Sequence, residues 1–526
     1  MRRLGMMRFL PLLLATATLL ADTYPRQTSV DVLHYTFRLS FNDISNELEG
    51  EATIDIRFLE DNISEVWLDL ADGMTVTSVT PGTSTHSDGR LRISTTPSNR
   101  DERRLFTIRY HGEPAGGLRM IRNKYNERVF FSENWPDNAR HWLPMVDHPY
   151  DKATSEFLIT APVKYQVIAN GVLQEETDLG NGFRLTHWKQ SVPIASWLNA
   201  IGIAEFSVHH AGNVKGIPLE TWVYRQDREI GPAWFEPDAR AALEFFSEHV
   251  GPYSYEKLAN VEAAGFKGGT EHASAIFYGE SSILQRPGTP LIAHEIAHQW
   301  FGNAVTEADW DDVWLSEGFA TYFTLLFTEH SQGRDAFVAG LRNSRLAVFK
   351  MESDNPDWKV RHSNLSNMKL VLNRLIYQKG GWTLHMLRCM IGDEAFWKGI
   401  RQYYSRHQNS NATTADFQRA MEEASGQKLG WFFDQWLNRA GSPIVTGSWR
   451  WDPASSTVAV SLEQSVDYRL PLEIAIGDRV ESVELNQRRQ TFTFPAAKEP
   501  DQVRLDPGTK LLIKANFERS TKVEVR

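Results

Sequence analysis

Apolar residues alternate with polar ones over much of 30–206, as in Tyr35, Phe37, Leu39 and Phe41, then Ala52, Ile54, Ile56 and Phe58, with turn residues between the runs. A period of two places every second side chain on one face of a strand. The pattern therefore predicts a large, mainly β domain. From about 232 to 437 apolar residues recur three and four apart, as in Leu315, Phe319, Tyr322, Phe323 and Leu326, which predicts amphipathic helices. After the turn Gly441-Ser442-Pro443 the alternation returns in Val458, Val460 and Leu462 and in Leu470, Leu472, Ile474 and Ile476, the pattern of a small β-sandwich. The fold class expected is a multidomain α+β protein with a β domain over 22–207, a mainly helical domain over 208–440 and a β-sandwich over 441–526.

Composition narrows the function classes. A chain of 526 residues is too long for one hydrophobic core, in keeping with three domains. With 66 acidic against 56 basic residues its formal charge is −10, which opposes phosphate-backbone binding, so nucleic acid is not an expected partner. Residues 1–21 read as a signal peptide: Arg2, Arg3 and Arg8, an apolar stretch over 9–20, and the small residue Ala21. That stretch is too short to span a bilayer, so the reading is an exported protein, periplasmic or secreted, with no stable membrane span after cleavage; an uncleaved anchor is the alternative. Cys389 is the sole cysteine, which excludes an intrachain disulfide and is expected to be a buried structural thiol.

The densest local chemistry is His294-Glu295-Ile296-Ala297-His298, preceded by Thr289-Pro290 as a helix start and followed by Gly302-Asn303 as a stop. A four-residue step advances about 6 Å along a helix, so both imidazoles converge on one tetrahedral metal while Glu295 points at its open position. A catalytic zinc needs a third protein ligand. Glu317 follows His298 after eighteen intervening residues, on a helix predicted over 311–329, among aromatic core positions where a bare carboxylate is costly and metal ligation compensates it. A half-exposed surface glutamate is the plainer alternative.

With this spacing the chain resembles the zinc aminopeptidase family that includes alanyl aminopeptidase and leukotriene hydrolase. Trp300-Phe301-Gly302-Asn303 and Trp314-Leu315-Ser316-Glu317-Gly318-Phe319-Ala320 resemble the family's flanking sequences, with Ser316 where asparagine is more usual. Gly268-Gly269-Thr270-Glu271-His272 stands where the family has Gly-Ala-Met-Glu-Asn, Glu133 lies in a segment similar to a second recognition stretch, and Tyr377-Gln378-Lys379-Gly380-Gly381 resembles the family's tyrosine motif. Thr270 and His272 depart from the usual methionine and asparagine. The chain also stops after the small sandwich instead of continuing into a large helical domain.

The resemblance implies a thermolysin-like central domain with one Zn2+ on His294, His298 and Glu317, and hydrolysis of the N-terminal residue from peptides with a free N-terminus. It implies catalytic roles for Glu295, as general base, and Tyr377, as oxyanion donor. Substrate binding falls to Glu271, Glu133, Gly268 and Gly269. A carboxylate in a water-poor cleft tells a free α-ammonium from an internal amide by pairing with it. Two other readings stay open, epoxide hydrolysis of the leukotriene-hydrolase kind and a non-catalytic scaffold on the same fold; an endopeptidase is disfavoured by Glu271.

Overall fold

The computed structural model describes residues 22–285, 288–362, 368 and 371–520. The leader expected over 1–21 lies outside them. No helix among the described residues is long and apolar enough to cross a membrane.

The alternation at the start of the chain builds a seven-stranded sheet. Val30–Ser40 pairs antiparallel with Leu48–Phe58 and parallel with Lys152–Pro162, and the sheet continues through Phe183–Ala195 on one side and Arg103–Gly112 on the other. Tyr35 lies opposite Ile54 and Phe37 opposite Ala52, all four buried in one apolar core. A four-stranded sheet that includes Leu118–Arg122 and Arg128–Ser132 packs in the same core and carries Glu133 at its end.

One sheet was not legible in the periodicity. Phe206–Val214, Ile217–Tyr224, Leu258–Ala263, Ala275–Gly279 and Gly269–Thr270 form one mixed five-stranded sheet, with the helix Ile230–His249 inserted after Ile217–Tyr224. Trp222, Val261 and Phe277 face the core of the β domain, while Val223, Leu258, Ile276 and Tyr278 face the helical core. The strands Leu258–Ala263 and Ala275–Gly279 are buried at every position, and a strand wet on neither face needs no polar alternation.

The helices Thr289–His298, Trp314–Gln332, Arg334–Asp354 and Arg374–Ile391 pack behind this wall. Two further sheets close the chain: four strands that include Ile444–Asp452 and Thr457–Gln464, and three built on Leu470–Ile476. Their inward residues Val445, Val458, Leu470 and Leu472 share one core with the helices. The Cys389 thiol is half-buried rather than buried, and burial pushes it up to about 11, which leaves it a neutral thiol.

Candidate metal and active site

Pro290 starts the helix Thr289–His298, where its missing N–H costs nothing, and the four-residue step sets His294 and His298 on one face. Their Nε2 atoms are 3.1 Å apart, and Glu317 Oε2 lies 3.4 Å from His294 Nε2 and 3.3 Å from His298 Nε2. The Nδ1 atom of His298 lies 3.1 Å from both the Phe301 carbonyl oxygen and Ser316 Oγ, so an N–H there donates to Phe301 and leaves the Nε2 lone pair to ligate a metal. Gly302 permits this arrangement: it has φ +109, and a Cβ on it would stand 2.2 Å from Ser316 Oγ.

These donors fit one zinc ion. A tetrahedral site with bonds of about 2.0–2.1 Å has edges of roughly 3.3 Å, the size of the triangle of nitrogen and oxygen atoms found here. Glu317 Oε2 is buried and, among the described residues, accepts no hydrogen bond. The second oxygen, Oε1, accepts from the Tyr377 hydroxyl at 2.8 Å.

Close packing of two glycines sets that last contact. Trp314–Gln332 and Arg374–Ile391 meet where Gly318 faces Gly380, and a Cβ on either residue would sit 3.0 Å from the other's backbone. Glu317 immediately precedes one glycine and Tyr377 stands three residues before the other. Lys379, wholly buried, anchors the second helix by donating to Glu352 Oε1 at 2.9 Å and to the Gly441 carbonyl at 3.0 Å. The motif around Tyr377 was visible in the sequence, but the structural roles of Lys379, Gly318 and Gly380 were not.

Glu295 and Glu271 approach the same metal-facing edge. One carboxylate oxygen of each lies with a ring nitrogen of His298 in a group no more than 4.8 Å across. Glu295 fits only because residue 269 is glycine, for a Cβ there would meet its Cγ at 2.4 Å; Gly268 has φ +79 and turns the chain into the short strand Gly269–Thr270. The backbone carbonyl of Glu271 accepts from Gln299 Nε2 at 3.1 Å and from Asn303 Nδ2 at 2.5 Å, so the residues just past the zinc helix hold it in place. Gln299 carried no recognisable signal in the sequence.

The electrostatics call for a cation. Burial pushes the Glu295 carboxyl well above the usual range, with Glu271 adding to it, and burial likewise raises Glu271. Burial would also raise Glu317, but His298 and His294 outweigh it and hold that carboxyl at about 2. Among the described residues no lysine or arginine pairs with any of the three.

Two cavities meet at Tyr377. One, about 440 Å³, is lined by Glu271, Glu133, Arg119, Lys267, Thr270 and Glu317 among others; the second, about 560 Å³, is lined by His294 and by Leu291, Thr321, Thr324, Leu325 and Ala347. Gly269 borders the first. Glu133 lies in it with its carboxylate accepting from Arg119 Nη2 at 2.8 Å. Thr270 borders the cavity, whereas the His272 ring is buried edge-on against Phe277 and Phe266, without a partner for either nitrogen among the described residues, and burial drops it to about 3.

Comparison with known proteins gives concordant matches. Residues 32–198 match the Peptidase M1 N-terminal domain and residues 236–436 the Peptidase family M1 domain. A glutamyl aminopeptidase of Bitis rhinoceros is 27% identical over 79% of this chain and 47% of its own length, so the chain spans about half of that relative. In fold, the chain is similar to Legionella pneumophila aminopeptidase A in complex with aspartic acid (TM-score 0.80, 18% identity, 94% of this chain and 60% of that one). It is also similar to a single-residue mutant of an M1 zinc metallopeptidase from Deinococcus radiodurans (TM-score 0.68, 24% identity, 79% of this chain and 96% of that one).

Proposed function

We propose, for a chain that belongs to peptidase family M1, that it removes single residues from the N-termini of peptides with a free α-ammonium. The observation that carries this is the triangle of His294, His298 and Glu317 beside a cavity that also holds Glu271 and Tyr377. His294, His298 and Glu317 hold the zinc ion. Zinc in such a site supplies Lewis acidity, polarising a carbonyl and lowering the pKa of water.

Glu271 pairs with the substrate's ammonium, which sets the register so that the first peptide bond is the one presented. Burial of that carboxylate makes a counter-charge more valuable than it is in water. Glu295, whose carboxylate lies beside His298 at the metal-facing edge, takes a proton from the attacking water and passes it to the departing amine. Tyr377 turns its hydroxyl from Glu317 to the oxygen on which negative charge develops. Glu133, engaged by Arg119, acts as a supporting wall of the cavity more than as a second ammonium ligand. The leader-like residues 1–21 support export, which fractionation of the producing cell tests.

The test is hydrolysis of aminoacyl-coumarin amides and their N-acetylated counterparts, before and after chelation and zinc return. Activity confined to free amines and restored by zinc is expected. Equal activity on acetylated substrates overturns the role of Glu271, and absence of hydrolysis with zinc bound favours the epoxide or scaffold readings.

A further inference from the structure

We propose that Lys267 makes the subsite for the first side chain cationic, so that the preferred substrate begins with an acidic residue. The inference rests on the aminopeptidase reading of the zinc site. It comes from which charges in the 440 Å³ cavity are already engaged.

Five charged side chains line that cavity: Arg119, Glu133, Lys267, Glu271 and Glu317. Glu317 belongs to the metal and Glu271 to the substrate's ammonium. Arg119 and Glu133 satisfy each other at 2.8 Å, while the second arm of Arg119 donates to the Gly265 carbonyl at 2.6 Å and its guanidinium lies 5.2 Å from the Phe266 ring. Lys267 is left over. It is exposed at the rim, and among the described residues no carboxylate lies within 4.0 Å of its Nζ.

Its backbone is held while its side chain is not. Gly265 on one side is tied to Arg119, and on the other side the Gly268 carbonyl accepts from Gly279 N–H at 2.8 Å. Lys267 thus enters the cavity that Thr270 and Glu271 also line from a stretch of backbone held on both sides. The remaining walls, Trp135, Phe266 and Leu372, are apolar and suit the methylenes of a glutamate below its carboxylate. A lysine or arginine side chain there would meet Lys267 and Arg119, and a neutral one would leave the Lys267 charge unanswered.

The experiment compares kcat/KM of the zinc-loaded full chain on glutamyl and glutaminyl coumarin amides, which match in shape and differ in charge. A roughly fivefold preference for glutamyl is expected, the scale of a solvent-accessible ion pair, and it shrinks in about 0.5 M salt. Lys267→Ala brings the ratio towards one, Lys267→Arg retains it, and Lys267→Glu inverts it. A wild-type ratio of one, or a ratio unmoved by Lys267→Ala, overturns the proposal. Calorimetric binding of L-glutamate against L-glutamine asks the same without turnover, and equal affinity overturns it there too. If no free-amine substrate is cleaved yet glutamate binds more tightly and Lys267→Ala erases the difference, the aminopeptidase reading fails and the cationic subsite stands.

Discussion

The two cavities that meet at Tyr377 are close in size and opposite in chemistry. The one beside Glu271 is walled by charges that come mostly from loops and strand ends, namely Arg119, Glu133, Lys267 and Glu271 itself. The one beside His294 is walled by Leu291, Leu325 and Ala347 with the hydroxyls of Thr321 and Thr324, all on helices. On the proposed aminopeptidase reading, a metal between them faces a polar side that takes the free terminus and a largely apolar side that takes the later residues of the peptide. On that reading, selectivity for a chain end belongs to the loop side, while the helix side contributes apolar surface.

Removing the boundary between the cavities has the largest expected effect. Glu317→Ala should lower the zinc content of the purified protein and reduce kcat/KM by more than about a thousandfold, read by metal analysis beside turnover; a full complement of zinc would point to a different third ligand. On the charged side alone, Glu271→Ala should cost several hundredfold on free-amine substrates, the scale of breaking a buried pair, and narrow the gap to acetylated substrates. Tyr377→Phe should slow kcat by about a hundredfold with little change in KM, and undiminished turnover would remove its oxyanion role.

The apolar side should respond more weakly. Leu325→Asp should lower kcat/KM for peptides with leucine second by roughly tenfold and leave those with serine second less affected, since one apolar contact is worth only ~1–3 kcal/mol.

Asp151, in the β domain and outside both cavities, gives the smallest effect on turnover and a separate one on stability. Burial, with Asp31 adding to it, raises its carboxyl from 3.8 to about 7, so the native state keeps a proton that the unfolded chain releases. That contribution is complete below 3.8 and is lost as pH rises through about 7. Asp151→Asn should therefore raise the unfolding temperature at pH 8, by up to ~4 kcal/mol of stability, and match the wild type near pH 4 while zinc-dependent turnover is kept.

Two kinds of information separate in this chain. The helix carrying His294, Glu295 and His298 was legible because its geometry is local: 3.6 residues per turn bring the two histidines together whatever else the fold does. The alternation of Tyr35, Phe37 and Leu39 was legible for the same reason, since one face of their sheet is buried. Glu317 followed from a fixed interval and the cost of a bare carboxylate among aromatic residues. The strands Leu258–Ala263 and Ala275–Gly279 of the five-stranded wall were not legible, because burial on both faces erases the period that marks a strand.

Tertiary packing alone decided the rest. The contact of Tyr377 with Glu317 spans sixty positions and exists because Gly318 and Gly380 let two helix backbones touch. Arg119 and Glu133 face each other across neighbouring strands, and that pairing occupies Glu133 and leaves Lys267, among the described residues, as the free cation of the subsite. Sequence determines which groups can ionise, ligate or donate, since that is a property of each residue and its near neighbours. Which of them are already satisfied by a distant partner depends on contacts between segments far apart in the chain, and only the folded structure sets those.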